Sequence, residues 1–235
     1  DYIRRLGPVP NNAVNRAPIP HVKDEAAGYR GKSVKECMAG LASPKVSERR
    51  GAAWALFEMG PKGASATELL ARALDDPEVR MPALHALEAI GPDAHRAVPR
   101  LTALLEHPDF YVRIGATFAL AEIGCPLEKR ERSVHRSPSR WAPIVVEPLV
   151  AVFQDDYPQL AYTAGEILSA MGRLAMPALP AAITMLDGTS NTHRSAAIGL
   201  ITCLGPDAAA AVPRLIEMHN KKPKDTGYIN ALAAI

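Results

Sequence analysis

The sequence predicts an all-α fold: a solenoid of about five to six stacked helical hairpins, with a Pro-rich extended arm at its N-terminus. Three observations predict it. Glycines recur at a near-constant interval, an apolar stripe of helical period precedes each one, and the apolar residues are mostly small or aliphatic. Of 235 residues, 48% are hydrophobic but only 5% aromatic. Small side chains let helices approach closely, and Ala and Leu favour helix. Many thin helices in layers fit that balance better than one thick core.

Residues 1–30 come first. They hold Pro8, Pro10, Pro18 and Pro20 with Asn11, Asn12 and Asn15, which excludes helix and predicts a linker or extended arm. Such an arm can also cover the apolar side of the first hairpin, as the end of a repeat array requires. The array itself is expected over residues 31–235.

The repeat is read from its first helices. Val79, Ala83, Ala86, Leu87 and Ile90 share their offsets with Val112, Ala116, Ala119, Leu120 and Ile123. Each set is one stripe on a 3.6-residue helix. The frame recurs before Gly60, Gly172 and Gly205, and its start reappears at Ala231, Leu232 and Ile235. Successive glycines Gly60, Gly91, Gly124, Gly172 and Gly205 lie 31, 33, 48 and 33 apart by subtraction. Each glycine is expected to end a first helix in a left-handed conformation. Pro61, Pro92 and Pro206 then stop the helix from continuing. Second helices follow, with stripes such as Val98, Leu101, Leu104 and Leu105. Residues 91–101 read GPDAHRAVPRL and residues 205–215 read GPDAAAAVPRL, which marks duplicated structure.

The pattern D-x-x-V-R-x-x-A-x-x-A-L-x-x-I-G-x-x-A-x-x-A-V-P-x-L-x-x-L resembles the short bacterial HEAT-like repeat, the type named after phycobilisome lyases, over roughly residues 32–235. The resemblance implies a right-handed superhelix with first helices outside and second helices lining a concave face. It implies a kink at Pro82 within a first helix. It also implies that Arg49, Arg80, Arg113 and Arg194 form a ladder with Asp or backbone carbonyls of the next hairpin, a ladder that Ala161 interrupts in the fourth hairpin.

The 48-residue interval holds an insertion of about 15 residues within 125–145. It carries Lys129, Arg130, Arg132, Arg136 and Arg140 against Glu128 and Glu131, with His135 and Trp141. Insertions in solenoids map to surface loops, often on a working face. A basic loop with an indole suits an anion or an acidic partner surface. The other candidate surface is the ridge of second helices, with Glu68, Arg72, Arg96, Arg100, Arg214 and Glu217. Arg100 and Arg214 share one repeat position. The candidate binding residues are therefore Arg100, Arg214, Arg72, Arg96, Arg130, Arg132, Arg136, Arg140 and Trp141.

No catalytic, metal or cofactor residues are assigned. The seven histidines form no HExxH or H-x-H pattern, and the His-Glu dipeptides of the di-iron HEAT-type hydroxylases are missing. His85 and Glu88, one turn apart, read as a solvated helix face. Glu58 and Glu122 share a repeat position where the consensus itself favours Glu. Trp54 reads as packing between hairpins. Cys37, Cys125 and Cys203 show no CxxC spacing and read as small buried residues. A formal charge of +2 implies no global field for nucleic acid or an anionic membrane. No apolar run is long enough in sequence to cross a bilayer.

The leading expectation is a non-catalytic interaction or scaffold module. Its partner would be another protein or another domain of the same polypeptide, with nucleic acid and membrane insertion disfavoured. Two alternatives stay open. The chain starts without Met and stops in mid-pattern, which suggests an accessory piece of a larger bacterial enzyme, a secreted sulfatase-like hydrolase for example. A phycobilin-lyase-like or isomerase-like enzyme is the other, with a pocket where the insertion folds over the array.

Overall fold

The computed structural model describes residues 26–29, 31–130, 133–188 and 190–235. Arg132 and residues 1–25 of the expected arm lie outside them. The chain opens with a 3-10 turn at Ala26–Tyr29, then α1 Val34–Leu41, α2 Val46–Met59, α3 Thr67–Ala73, α4 Arg80–Ile90, α5 Val98–Ala103 and α6 Phe110–Gly124. A two-stranded ribbon follows, β1 Leu127–Arg130 and β2 Ser133–Arg136. The rest is α7 Ala142–Phe153, α8 Pro158–Ala170, α9 Leu179–Met185, α10 Asn191–Leu204, α11 Val212–Lys221 and α12 Thr226–Ala234.

Even-numbered helices are the first helices of the repeat and odd-numbered ones the second. First helices pack in series, α2 on α4, α4 on α6, α8 on α10 and α10 on α12. Each second helix packs on the first helix that follows it, from α1 on α2 to α11 on α12. The result is an all-α repeat solenoid of five hairpins, repeats 1 to 5, with a half-unit at each end. The predicted stripe residues Val79, Ala83, Ala86, Leu87 and Ile90, and their repeat-3 counterparts, are all buried. Fully buried alanines such as Ala52, Ala83 and Ala116 let neighbouring first helices come close.

Gly60, Gly91, Gly172 and Gly205 have φ of 56, 70, 56 and 57°. Side chains rarely adopt such values. Each glycine opens a seven-residue 3-10 connector: Gly60–Ala66, Gly91–Ala97, Gly172–Ala178 and Gly205–Ala211. Gly124 differs from the expectation. It stays within α6, and its φ is not positive. The insertion replaces the connector here, so no sharp left-handed turn is needed. Glycine is required for a different reason: a Cβ would lie 2.1 Å from Val145 Cγ2 and 3.2 Å from Met171 Cε.

Three other expectations shift. Residues 1–30 were expected to hold no helix, yet Ala26–Tyr29 forms one 3-10 turn. Its AAGY sequence lies beyond Pro20, so proline does not forbid it. Tyr29 is buried, and its hydroxyl sits where a Cβ on Gly40 would be, 2.2 Å away. Pro82 occupies the first turn of α4, where a missing N–H costs nothing, and not a mid-helix kink. The proline inside a helix body is Pro148 of α7. Finally, Asn191–Lys221 is a continuous helical run apolar enough for a membrane span. Gly205 turns the chain in its middle, and Leu200, Leu204 and Leu215 pack into the array from both sides of that turn.

Candidate functional site

The arginines of the first helices bond carbonyls of the turn before their own helix, and Arg49 and Arg113 also reach an Asp in the turn before the next first helix. Arg49 Nε and Nη2 donate to Asp76 Oδ2 at 2.9 and 2.8 Å, and its Nη1 donates to the Ser43 carbonyl at 3.0 Å. Arg113 lies 3.3 Å from Asp155 and donates to the His107 carbonyl. Arg194 donates to the Gly188 carbonyl at 2.5 Å and to Asn191. At Asp76, burial pushes the carboxyl pKa up, but bonds from Arg49 and the Glu78 N–H outweigh it and hold the pKa below the ordinary value. These arginines are framework.

Asp76, His107 and Asp155 hold the same repeat position. Asp76 and Asp155 each also accept the backbone N–H two residues on. His107 stands in with two ring nitrogens, Nε2 3.2 Å from Arg80 Nη1 and Nδ1 accepting from Asp109 N–H at 3.0 Å. A neutral imidazole has only one acceptor nitrogen. His107→Asp is therefore expected to stabilise the chain by about 0.5–1 kcal/mol, read as a higher denaturation midpoint at pH 7. A lower midpoint would refute the framework role of this position. In repeat 4 the arginine and its partner are lost together, as Ala161 and Gly188.

The ridge residues also engage the array. Arg100 of α5 reaches back to Asp75 at 2.5 Å, and Arg214 of α11 pairs with Asp187 and Glu217. Each joins one second helix to the end of the previous one. The hydrogen bonds that Arg214 donates to Asp187 and then to Glu217 raise its pKa further. Arg72 on α3 and Arg96 in the second connector are exposed.

The insertion is more than a loop. Its strands pair antiparallel, Leu127 with Arg136 and Arg130 with Ser133. Glu122, almost buried in α6, receives Leu127 N–H and Arg136 Nη1, both at 3.2 Å. Arg136 also donates to the Cys125 carbonyl at 2.6 Å. Ser139 closes the base, N–H to the Gly124 carbonyl at 2.8 Å and Oγ to the Ile123 carbonyl at 2.7 Å. Trp141 then stacks on His95 of the second connector at 3.7 Å and 9°. The exposed Arg140 lies over the other indole face at 4.8 Å. Residues 125–141 carry five basic and two acidic side chains, a surplus of three; the whole chain is +2, so the remainder sums to −1. The positive charge of the sequence is concentrated in this segment.

Beside it lies an open groove of about 310 Å³, lined by Pro143, Ile144, Val146 and Glu147 of α7 and by Leu174 and Pro177 of the fourth connector. Sequence reasoning missed this groove. It also took Glu122 for a consensus residue and passed over His95. His85 and Glu88 are not on a solvated face: His85 stacks on Trp54 at 5.5 Å and bonds Glu88 at 3.3 Å, both mostly buried. Cys37 and Cys125 are buried, but Cys203 is exposed. Among the described residues, no three His, Cys, Asp or Glu side chains gather as a metal ligand set.

The stacked hairpins define an armadillo- or HEAT-type repeat protein. Residues 34–126 match the family model described as HEAT repeats. No curated protein matches the sequence. Among solved structures, it is similar to a designed armadillo repeat protein in complex with the peptide (KR)4 (TM-score 0.60, 18% identity, 86% of this chain and 98% of that one). It is similar to an engineered protein at TM-score 0.57 and 23% identity, over 86% and 94% of the two chains. It is also similar to the complex of CpcE and CpcF of phycocyanin lyase from Nostoc sp. PCC7120, at TM-score 0.50 and 25% identity, over 89% of this chain and 74% of that one.

Proposed function

We propose that the chain is a non-catalytic interaction module that binds another protein, or another domain of the same polypeptide, through repeats 3 and 4 and the basic ribbon. The observation that supports this reading is the anchored insertion. Arg136 is matched by Glu122, so the segment offers Lys129, Arg130, Arg132 and Arg140 against Glu128 and Glu131, a surplus of two, on a base fixed by the Glu122–Arg136 pair and the Trp141 stack. A base already held in place loses little conformational entropy when an acidic partner docks on it. The ridge arginines Arg100 and Arg214 are matched by Asp75 and Asp187, so the ridge contributes shape more than charge. The structures of similar fold include a designed repeat protein in complex with a peptide and a complex of two lyase chains, which fits a solenoid that engages other chains.

The test is capture of partners on the immobilised chain, with crosslinks to Lys129 read by mass spectrometry. The triple reversal Arg130→Glu, Arg132→Glu and Arg140→Glu is expected to lower capture at least tenfold while the melting temperature holds. Undiminished capture by the triple variant would remove the ribbon from the function.

A further inference from the structure

Aligning the hairpins on the small buried residue in each connector reveals a departure confined to repeats 3 and 4. That residue is Gly63, Ala94, Ala142, Ala175 or Ala208, each buried. The two residues immediately before it are Pro61-Lys62, Pro92-Asp93 and Pro206-Asp207 in repeats 1, 2 and 5. In repeats 3 and 4 they are Arg140-Trp141 and Arg173-Leu174. Two adjacent rungs thus replace proline and a polar residue with arginine and a large apolar one. Ile144 makes a third departure, at the position of Ser65, Arg96 and Ala210.

Packing does not require the changes at Ile144 and Leu174. Ile144 is 45% exposed and Leu174 is 41% exposed, and the array folds with Ser, Lys or Asp at the same places. Arg173 is 83% exposed although it pairs with Asp207 at 2.8 Å. The exposed apolar side chains face one groove, with Pro143 and Pro177 as its walls. A repeat that gives up its pattern at two neighbouring rungs, toward exposed aliphatic and cationic groups, is shaped for a ligand.

We propose that this groove takes an extended acidic segment of a partner protein. Its aliphatic side chain seats between Ile144 and Leu174, and its carboxylates lie against Arg173 and Arg140. The proposal rests on the interaction-module reading and gives it a partner chemistry. Neighbouring rungs are about 10 Å apart, and an extended chain rises about 3.3 Å per residue. The two carboxylates therefore stand about three residues apart with the aliphatic residue between them. Glu147, the acidic side chain of the groove wall, disfavours a carboxylate in the middle. The surplus charge of the ribbon adds long-range attraction for a segment of negative charge. Nucleic acid fits less well. Base binding needs an open ring face, and Trp141 has His95 on one face and Arg140 on the other.

Display of a random dodecapeptide library against the immobilised full chain tests this. Leu174→Asp and Ile144→Ser serve as counter-targets. Both substitutions install residues that the array already holds at those positions in other repeats, so melting temperatures are expected to stay unchanged. The enriched clones are expected to carry an aliphatic residue flanked by Asp or Glu. A labelled synthetic copy of the strongest clone should bind the chain and lose at least tenfold affinity for either counter-target and for Arg140→Glu with Arg173→Glu. Enrichment of basic or uncharged sequences, no enrichment at all, or equal binding to Leu174→Asp overturns the proposal. So does displacement of the peptide by a single-stranded oligonucleotide at equal concentration. The ribbon experiment shares only Arg140 with these variants; Leu174→Asp and Ile144→Ser lie outside it, so a failed groove leaves the capture result at Arg130 and Arg132 standing.

Discussion

Phe153→Ala is expected to cost about 3–5 kcal/mol and to split the unfolding transition in two. Phe153 is fully buried at the end of α7, and its ring edge lies 3.1 Å from where Gly165 of α8 would place a Cβ. It fills the seam between repeats 3 and 4. That seam has little else. First helices α6 and α8 meet far less than α2 and α4 or α8 and α10 do. The second-helix clasps Arg100–Asp75 and Arg214–Asp187 have no counterpart there, because Ala181 stands at the arginine position of repeat 4. Pro148 also removes one hydrogen bond from α7. What crosses the seam is α7 itself, the Arg113–Asp155 pair and the Phe110–Tyr157 contact at 4.4 Å. Solenoid stability is close to a sum of repeat terms and nearest-neighbour interfaces. Weakening the thinnest interface should uncouple the halves, while Leu87→Ala within repeat 2 should lower one cooperative transition. Circular dichroism against denaturant distinguishes them. A single shifted transition for Phe153→Ala would show that the seam is not the weak interface.

The fold was legible in the sequence because a solenoid reports each structural position several times over. Gly91 and Gly205, with almost identical sequences after them, could be compared with no structure at hand, and four of the five glycines turn as the comparison requires. Gly124 was the exception because its sequence context is the same up to the glycine. Only the geometry shows that Val145 comes down on it. Pro82 misled for a related reason: a proline two residues into a helix and one in its middle look alike until the first turn is located. The candidate site was legible in part. Charge and length marked the insertion, but its pairing into a ribbon was hidden, since LEKR and SVHR carry no turn signal of the Asn-Gly kind. Glu122 looked like framework because Glu58 matches it. Its role comes from Arg136, fourteen residues on, which no repeat comparison can supply. The groove was hidden because Arg140-Trp141 and Arg173-Leu174 correspond only after the insertion has been removed from the alignment.

Glu122→Ala is expected to release the ribbon from the array and to destabilise the chain by about 2–4 kcal/mol. Removing one partner of a buried ion pair leaves the other charge desolvated and unmatched, which costs about 3–5 kcal/mol when burial is complete. Here the side chains are 11% and 14% exposed, so some of that cost is relieved by water. The effect goes beyond Coulomb attraction. Glu122 also accepts the Leu127 N–H, and Arg136 also donates to the Cys125 carbonyl, so both ends of the ribbon lose an anchor together. Glu122→Gln keeps an acceptor for Leu127 and should cost less. The decisive variant is the pair Glu122→Leu with Arg136→Met. A buried pair exchanged for apolar groups of similar volume is often neutral, so the double variant should recover much of the loss in Glu122→Ala. If the pair positions the ribbon, the double variant will regain stability and yet show faster amide exchange at Leu127 and Ser137, whose N–H groups are held at the base. Recovery of stability together with unchanged exchange would mean that strand pairing and Ser139 hold the ribbon without the clamp.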